Sequence, residues 1–122
     1  YEHDLDWYNS LKGRLPANVE YRHCNLESGG AYSQAILAYN QAFDIIVIDG
    51  RDRVNCAKNV LGSLREKGVI IWDNSDREVY QEGYSYLIQH GFKRLDFEGL
   101  GPITSFKWCT SVFYRSNNCF NI

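Results

Sequence analysis

Two apolar runs flanking a helical stretch constrain this chain more than any other feature. FDIIVIDG runs from Phe43 to Gly50 almost without polar interruption, and VIIWDN runs from Val69 to Asn74. Between them Val54, Ala57, Leu61 and Leu64 recur at helical spacing, and Cys56 and Val60 widen the same face. Continuous apolar strands need cover on both faces. A parallel sheet flanked by helices provides it, and the intervening length suits a right-handed crossover. The expectation is strand, helix, strand, with Asp52 as the helix N-cap and Gly68 as its left-handed C′ residue. Asp49, Asp73 and Asn74 then meet at the carboxyl edge of neighbouring strands, where open α/β sheets bind their ligands.

The flanks supply further elements. Asp4 is placed to cap a helix from about Leu5 to Arg14, which Leu15-Pro16 ends. Val19 to Cys24 reads as a strand, Asn25 to Gly30 as a loop, and Ala31 to Ala42 as a helix. After Asn74, Ser75-Asp76-Arg77-Glu78 fits a capping box for a helix to about His90, closed by Gly91, with Tyr80, Tyr84, Leu87 and Ile88 facing the sheet. Phe92 to Phe97 and Trp108 to Tyr114 read as two strands joined without a helix, hence antiparallel neighbours. Gly99-Leu100-Gly101-Pro102 is the loop between them, expected on the substrate side, and Ser116 to Ile122 is a polar tail.

With 122 residues, the chain has the length of one domain, and its 44% hydrophobic content is enough for a modest core. A net charge of −2 argues against a nucleic-acid groove or a membrane surface as the main partner. No apolar stretch approaches a membrane span and YEHDLDW lacks signal-peptide character, so the expectation is a soluble cytoplasmic protein. Cys24, Cys56, Cys109 and Cys119 show no metal or redox spacing and read as reduced thiols. His3, His23 and His90 are scattered, without the paired acid or nucleophile of a catalytic base.

In the order and spacing of these elements the chain resembles the class I S-adenosylmethionine (SAM)-dependent methyltransferases. YEHDLDWYNSLKGRLPANVEY is similar to the family's segment from the end of its second strand towards its third; FDIIVIDGRDR is similar to its fourth strand and KGVIIWDN to its fifth. The resemblance implies an α/β, Rossmann-like, mostly parallel sheet with helices on both faces and a C-terminal antiparallel hairpin. It covers residues 1–122 as a single partial domain. The family's first strand, glycine-rich loop and first helix have no counterpart before Tyr1.

The resemblance also assigns residues. Glu2 matches the acidic residue that accepts both ribose hydroxyls of SAM, a task suited to an acceptor-only carboxylate; the alternative is a solvated terminal carboxylate. Asn25 and Leu26 match the position that contacts the adenine. Asp49, at the cofactor edge, is also the candidate catalytic residue. Asp49, Asp73 and Asn74 match the metal-binding pattern of the catechol O-methyltransferase-like branch, three hard oxygens suited to Mg²⁺; alternatively Asp49 caps the next helix and Asn74 starts a turn. Arg51 and Arg53 flank the same edge, either to hold an acidic substrate or to pair with Asp52, Asp76 or Glu78 on the surface.

Two functions follow. One is a SAM-dependent methyltransferase-like domain acting on a small molecule, in which the missing glycine-rich loop impairs cofactor binding. The other is a non-catalytic remnant of that fold that self-associates: with no first strand beside it, the fourth strand has an open edge, and open edges seek partners. A homodimer is therefore expected. A phosphoacceptor receiver domain fits the length and Asp49, but lacks an evident Lys at the last strand end and an early acidic pair.

Overall fold

A computed structural model describes residues 1–101 and 105–122. Helix α1 (Leu5–Leu11) starts where Asp4 caps it, its carboxylate accepting from the Trp7 amide at 2.8 Å. Helix α2 (Ala31–Gln34) continues as a 3-10 turn over Ala35–Ala38, and strand β1 (Phe43–Ile48) follows. Helix α3 (Arg53–Asn59) leads into strand β2 (Leu64–Trp72). A 3-10 turn (Glu78–Tyr80) precedes helix α4 (Gln81–Gln89), and the chain closes with strands β3 (Lys93–Leu100) and β4 (Lys107–Tyr114).

The strands form one sheet in the order β1-β2-β4-β3. Strands β1 and β2 are parallel neighbours, as the two apolar runs require, whereas β4 runs antiparallel to both β2 and β3. The sheet is therefore mixed, with a single parallel pair, and not mostly parallel as expected. Ile46, Ile48, Ile70, Trp72 and Phe113 form a buried core with Ala57 of α3, Val60 at its C-cap, and Tyr84 and Leu87 of α4. Each fully buried side chain of this size stabilises the fold by roughly 1.5–3 kcal/mol. Cover on both faces does not hold for β1 and β3: Ile45, Val47, Leu95 and Phe97, which alternate with the buried positions of β1 and the charged positions of β3, are exposed.

Several boundaries depart from expectation. Helix α3 stops eight residues earlier than Gly68 would have ended it, at Asn59, and Gly68 lies inside β2. The LREKG segment looks helical, but Leu64 is buried and pairs with Phe43, Ile45 pairs with Val69, and the exposed Arg65, Glu66 and Lys67 bulge from the ladder between them. Arg65 bonds Asp44 at 2.6 Å there, and the Lys67 carbonyl accepts from the Cys119 amide at 2.7 Å, so the polar tail is docked; Asn118 within it is buried. Val19–Cys24 is not a strand but a single bridge, His23 to Glu2.

The Ser75 capping box does not form. Ser75 is buried, its hydroxyl turned to Cys109 Sγ at 3.2 Å and to Ser111 Oγ at 2.5 Å, and the helical path starts after Arg77 instead. Gly91 does close α4, with φ of +86°. Of the side chains expected to face the sheet from α4, Tyr84 and Leu87 are buried and Ile88 is exposed. Pro102 lies outside the described residues. Among the described residues no helix is long and apolar enough to cross a membrane.

Candidate functional site

The parallel pairing of β1 and β2 brings Asp49 and Asp73 to one rim, as the sequence pattern requires. The chain leaves β2 through Asn74 and enters α3 through Asp52, both left-handed, with φ of +49° and +48°. Asp52 sits at the N-cap position without bonding the helix amides; its carboxylate accepts instead from Asn55 Nδ2 at 2.7 Å and from the Gly29 amide at 2.8 Å. That second bond ties the loop before α2 to the rim.

Arg53, the first residue of α3, folds back over the strand ends and is buried, 6% exposed. Its Nε donates to the Gly50 carbonyl at 2.9 Å and its Nη1 to the Asp73 carbonyl. Its Nη2 reaches the Asp49 carbonyl at 2.7 Å, Asp49 Oδ1 at 3.3 Å and Asn74 Oδ1 at 3.2 Å. The Tyr80 ring covers the guanidinium at 5.3 Å. Arg53 is thus a clamp on the two strand ends and not a side chain free to hold an acidic substrate. Arg51 is exposed, and among the described residues its side chain makes no ion pair.

The Asp49 carboxyl is pushed above its ordinary range by burial and by the neighbouring Asp73 carboxyl, a shift that Arg53 partly opposes. Asp73 Oδ1 accepts from Thr110 Oγ1 at 2.6 Å, which anchors it to β4. Of the three side chains expected to ligate Mg²⁺, Asp49 and Asn74 share the Arg53 guanidinium while the Asp73 carboxylate is held by Thr110, and among the described residues no group of three or more His, Cys, Asp or Glu is placed to hold a metal ion.

Two hollows open from this rim. One, of about 320 Å³, is lined by Tyr1, Glu2, His3, Tyr32, Val47, Asp49 and Gly50. It adjoins a more apolar cavity beneath, which shares Tyr1, Tyr32, Asp49 and Gly50 and reaches Ile36, Ile46 and Cys56. A Cβ at Gly50 would stand 1.9 Å from the Tyr32 hydroxyl, so a larger residue there would displace the Tyr32 ring from the hollow. The second hollow, of about 360 Å³, is lined by Asp73, Phe97, Gly99, Leu100, Gly101, Trp108 and Thr110.

Glu2 is held in place. Its main chain bonds Arg22 and Cys24 at 2.9 Å, and its Oε1 accepts from the His3 and Asp4 amides at 2.7 and 2.8 Å. Among the described residues its Oε2 makes no hydrogen bond. Asn25 and Leu26 lie on the exposed loop beyond and line neither hollow. Among the aromatic residues near the rim, Trp108 lines the second hollow while Trp72 and Tyr84 are core. Sequence reasoning did not assign Tyr1 and Tyr32 to the rim, nor the clamp role to Arg53. The clamp had a signal: an Arg at the start of a helix lies three and four residues after Gly50 and Asp49, within reach of both carbonyls.

No protein-family model matches the sequence, and no curated protein is found to be similar to it.

Proposed function

We propose that this chain is a methyltransferase-like domain that takes the nucleoside part of SAM between Glu2 and Asp49 and a small-molecule acceptor on the Asp73 side. The observation that carries this reading is the pair of neighbouring carboxyls, Asp49 and Asp73, each of which lines a hollow of its own. A group transfer needs two ligands to meet end to end, and two hollows that converge on one rim provide that geometry. Support also comes from Glu2, whose free Oε2 suits a ribose diol, and from the sheet, which ends in the antiparallel hairpin that the resemblance implies.

SAM, when bound, supplies an electrophilic methyl group on sulfonium. The residues of this chain would position the acceptor hydroxyl or amine, and the Asp49 carboxylate would receive its proton. No step is routed through a metal. The Rossmann-like relationship of the whole sheet belongs to the same proposal.

Calorimetric titration of SAM and of S-adenosylhomocysteine into the chain tests it. Saturable binding is expected, unchanged by Mg²⁺ or by a chelator and weakened about tenfold or more by Glu2→Gln. Absence of heat at millimolar ligand, or binding indifferent to both Glu2→Gln and Asp49→Asn, overturns it. The second reading, a non-catalytic domain that self-associates, is favoured by the exposed Ile45 and Val47 on β1, a strand that among the described residues pairs on one side only.

A further inference from the structure

We propose that the Arg53 guanidinium is the built-in cation of this rim: it stands among the oxygens of the two strand ends, where a divalent metal would sit, and it positions Asp49 and Asn74. Five oxygens surround it, the main-chain carbonyls of Asp49, Gly50 and Asp73 and the side-chain oxygens of Asp49 and Asn74. An oxygen cage of this kind is what a hard cation collects. Here the cation is covalently part of α3 and nine-tenths buried, and so cannot exchange with solvent or with a chelator.

Chemistry favours the guanidinium in this place. Its donors are directional and lie in one plane, so it can address two strand ends at once, whereas a lysine ammonium is a point charge. A buried guanidinium is tolerated only when its donors are satisfied, and here Nε, Nη1 and Nη2 all have oxygen acceptors. The left-handed Asp52 turns the chain so that the first residue of α3 points back at the sheet, and the left-handed Asn74 brings its amide oxygen to the same group. Arg53 is a positioning residue: it acts on the rim through Asp49 and Asn74. The inference stands on these contacts and not on the identity of any ligand in the neighbouring hollows.

Titration with Mn²⁺, followed by electron paramagnetic resonance, tests it. The native chain is expected to show no saturable Mn²⁺ binding at the rim and no change in thermal midpoint with EDTA. Arg53→Ala leaves the Asp49 carboxylate, the Asn74 amide oxygen and three strand-end carbonyls without their cation, and is expected to gain Mn²⁺ affinity about tenfold or more over the native chain, a gain lost again when Asp49→Asn is added. Arg53→Lys keeps the charge and is expected to show no gain; a purely packing role for Arg53 would not separate Lys from Ala in metal affinity. Refolding of a destabilised Arg53→Ala chain on addition of Mn²⁺ counts as the same gain. Saturable Mn²⁺ binding by the native chain that Asp49→Asn abolishes overturns the proposal, as does a folded Arg53→Ala chain with no gain. If Arg53→Ala stays unfolded even with Mn²⁺, the native titration decides alone. A failed SAM titration leaves these outcomes untouched, so the two readings fail separately.

Discussion

A Cβ on Gly83 would stand 2.5 Å from Cη2 of Trp72, so α4 crosses β2 at a distance that only glycine permits. The contact fixes how far the helix can approach the sheet, and it seals the core directly behind the rim.

Gly83→Ala is therefore expected to destabilise the chain. Alanine is favoured over glycine in a helix by about 1 kcal/mol, but the added methyl must displace a fully buried indole ring. Overpacking of this kind costs roughly 1–3 kcal/mol, and the steric term is expected to win. Urea unfolding followed by circular dichroism checks the sign; a midpoint higher than that of the native chain refutes it.

Asp96 on β3 gives a pH dependence of defined sign. Burial alone would raise its carboxyl, but the Ser111 hydroxyl and the Arg94 guanidinium both bond it and hold it below the ordinary range. A carboxyl lowered in the folded state stabilises the fold above its unfolded pKa, and that contribution is lost as pH falls through the folded value. Asp96→Asn is expected to cost roughly 0.5–1 kcal/mol at neutral pH, a figure discounted because the side chain is 45% exposed, and to cost progressively less in acid. Parallel unfolding curves for the two chains at neutral and acidic pH measure the convergence; a gap that widens in acid contradicts it.

The open edge and face of β1 lead to an association prediction. Val47 is 61% exposed and Ile45 45%, on a strand that among the described residues pairs on one side only. The chain is expected to sediment as a homodimer at micromolar concentration, and Val47→Lys, which places a charge on that edge, is expected to shift it to monomer without lowering its thermal midpoint. A native chain that sediments as a monomer sinks the prediction.

The elements that local chemistry dictates could be read from the sequence. The Asp4 cap, the glycine close of α4, the parallel apolar pair and the terminal hairpin all stand where the residues place them. Those decided by tertiary contacts could not. LREKG has helical composition, yet burial of Leu64 and the Arg65–Asp44 pair draw it into a bulged strand. Ser75 had the spacing of a cap, but the buried hydroxyls and thiol beside it claim it first. At the rim, the meeting of Asp49 and Asp73 followed from strand order alone. The partner that binds them was misread, because an exposed salt bridge and a buried clamp look alike in a string of letters.

The burial of Trp72 has a spectroscopic consequence. Its indole lies in the dry core one residue before Asp73, while Trp7 is 59% exposed and Trp108 is half-buried at the second hollow. With Trp7 and Trp108 changed to phenylalanine, the remaining blue-shifted emission would report on the packing just behind the rim, giving an optical signal that needs no attached dye.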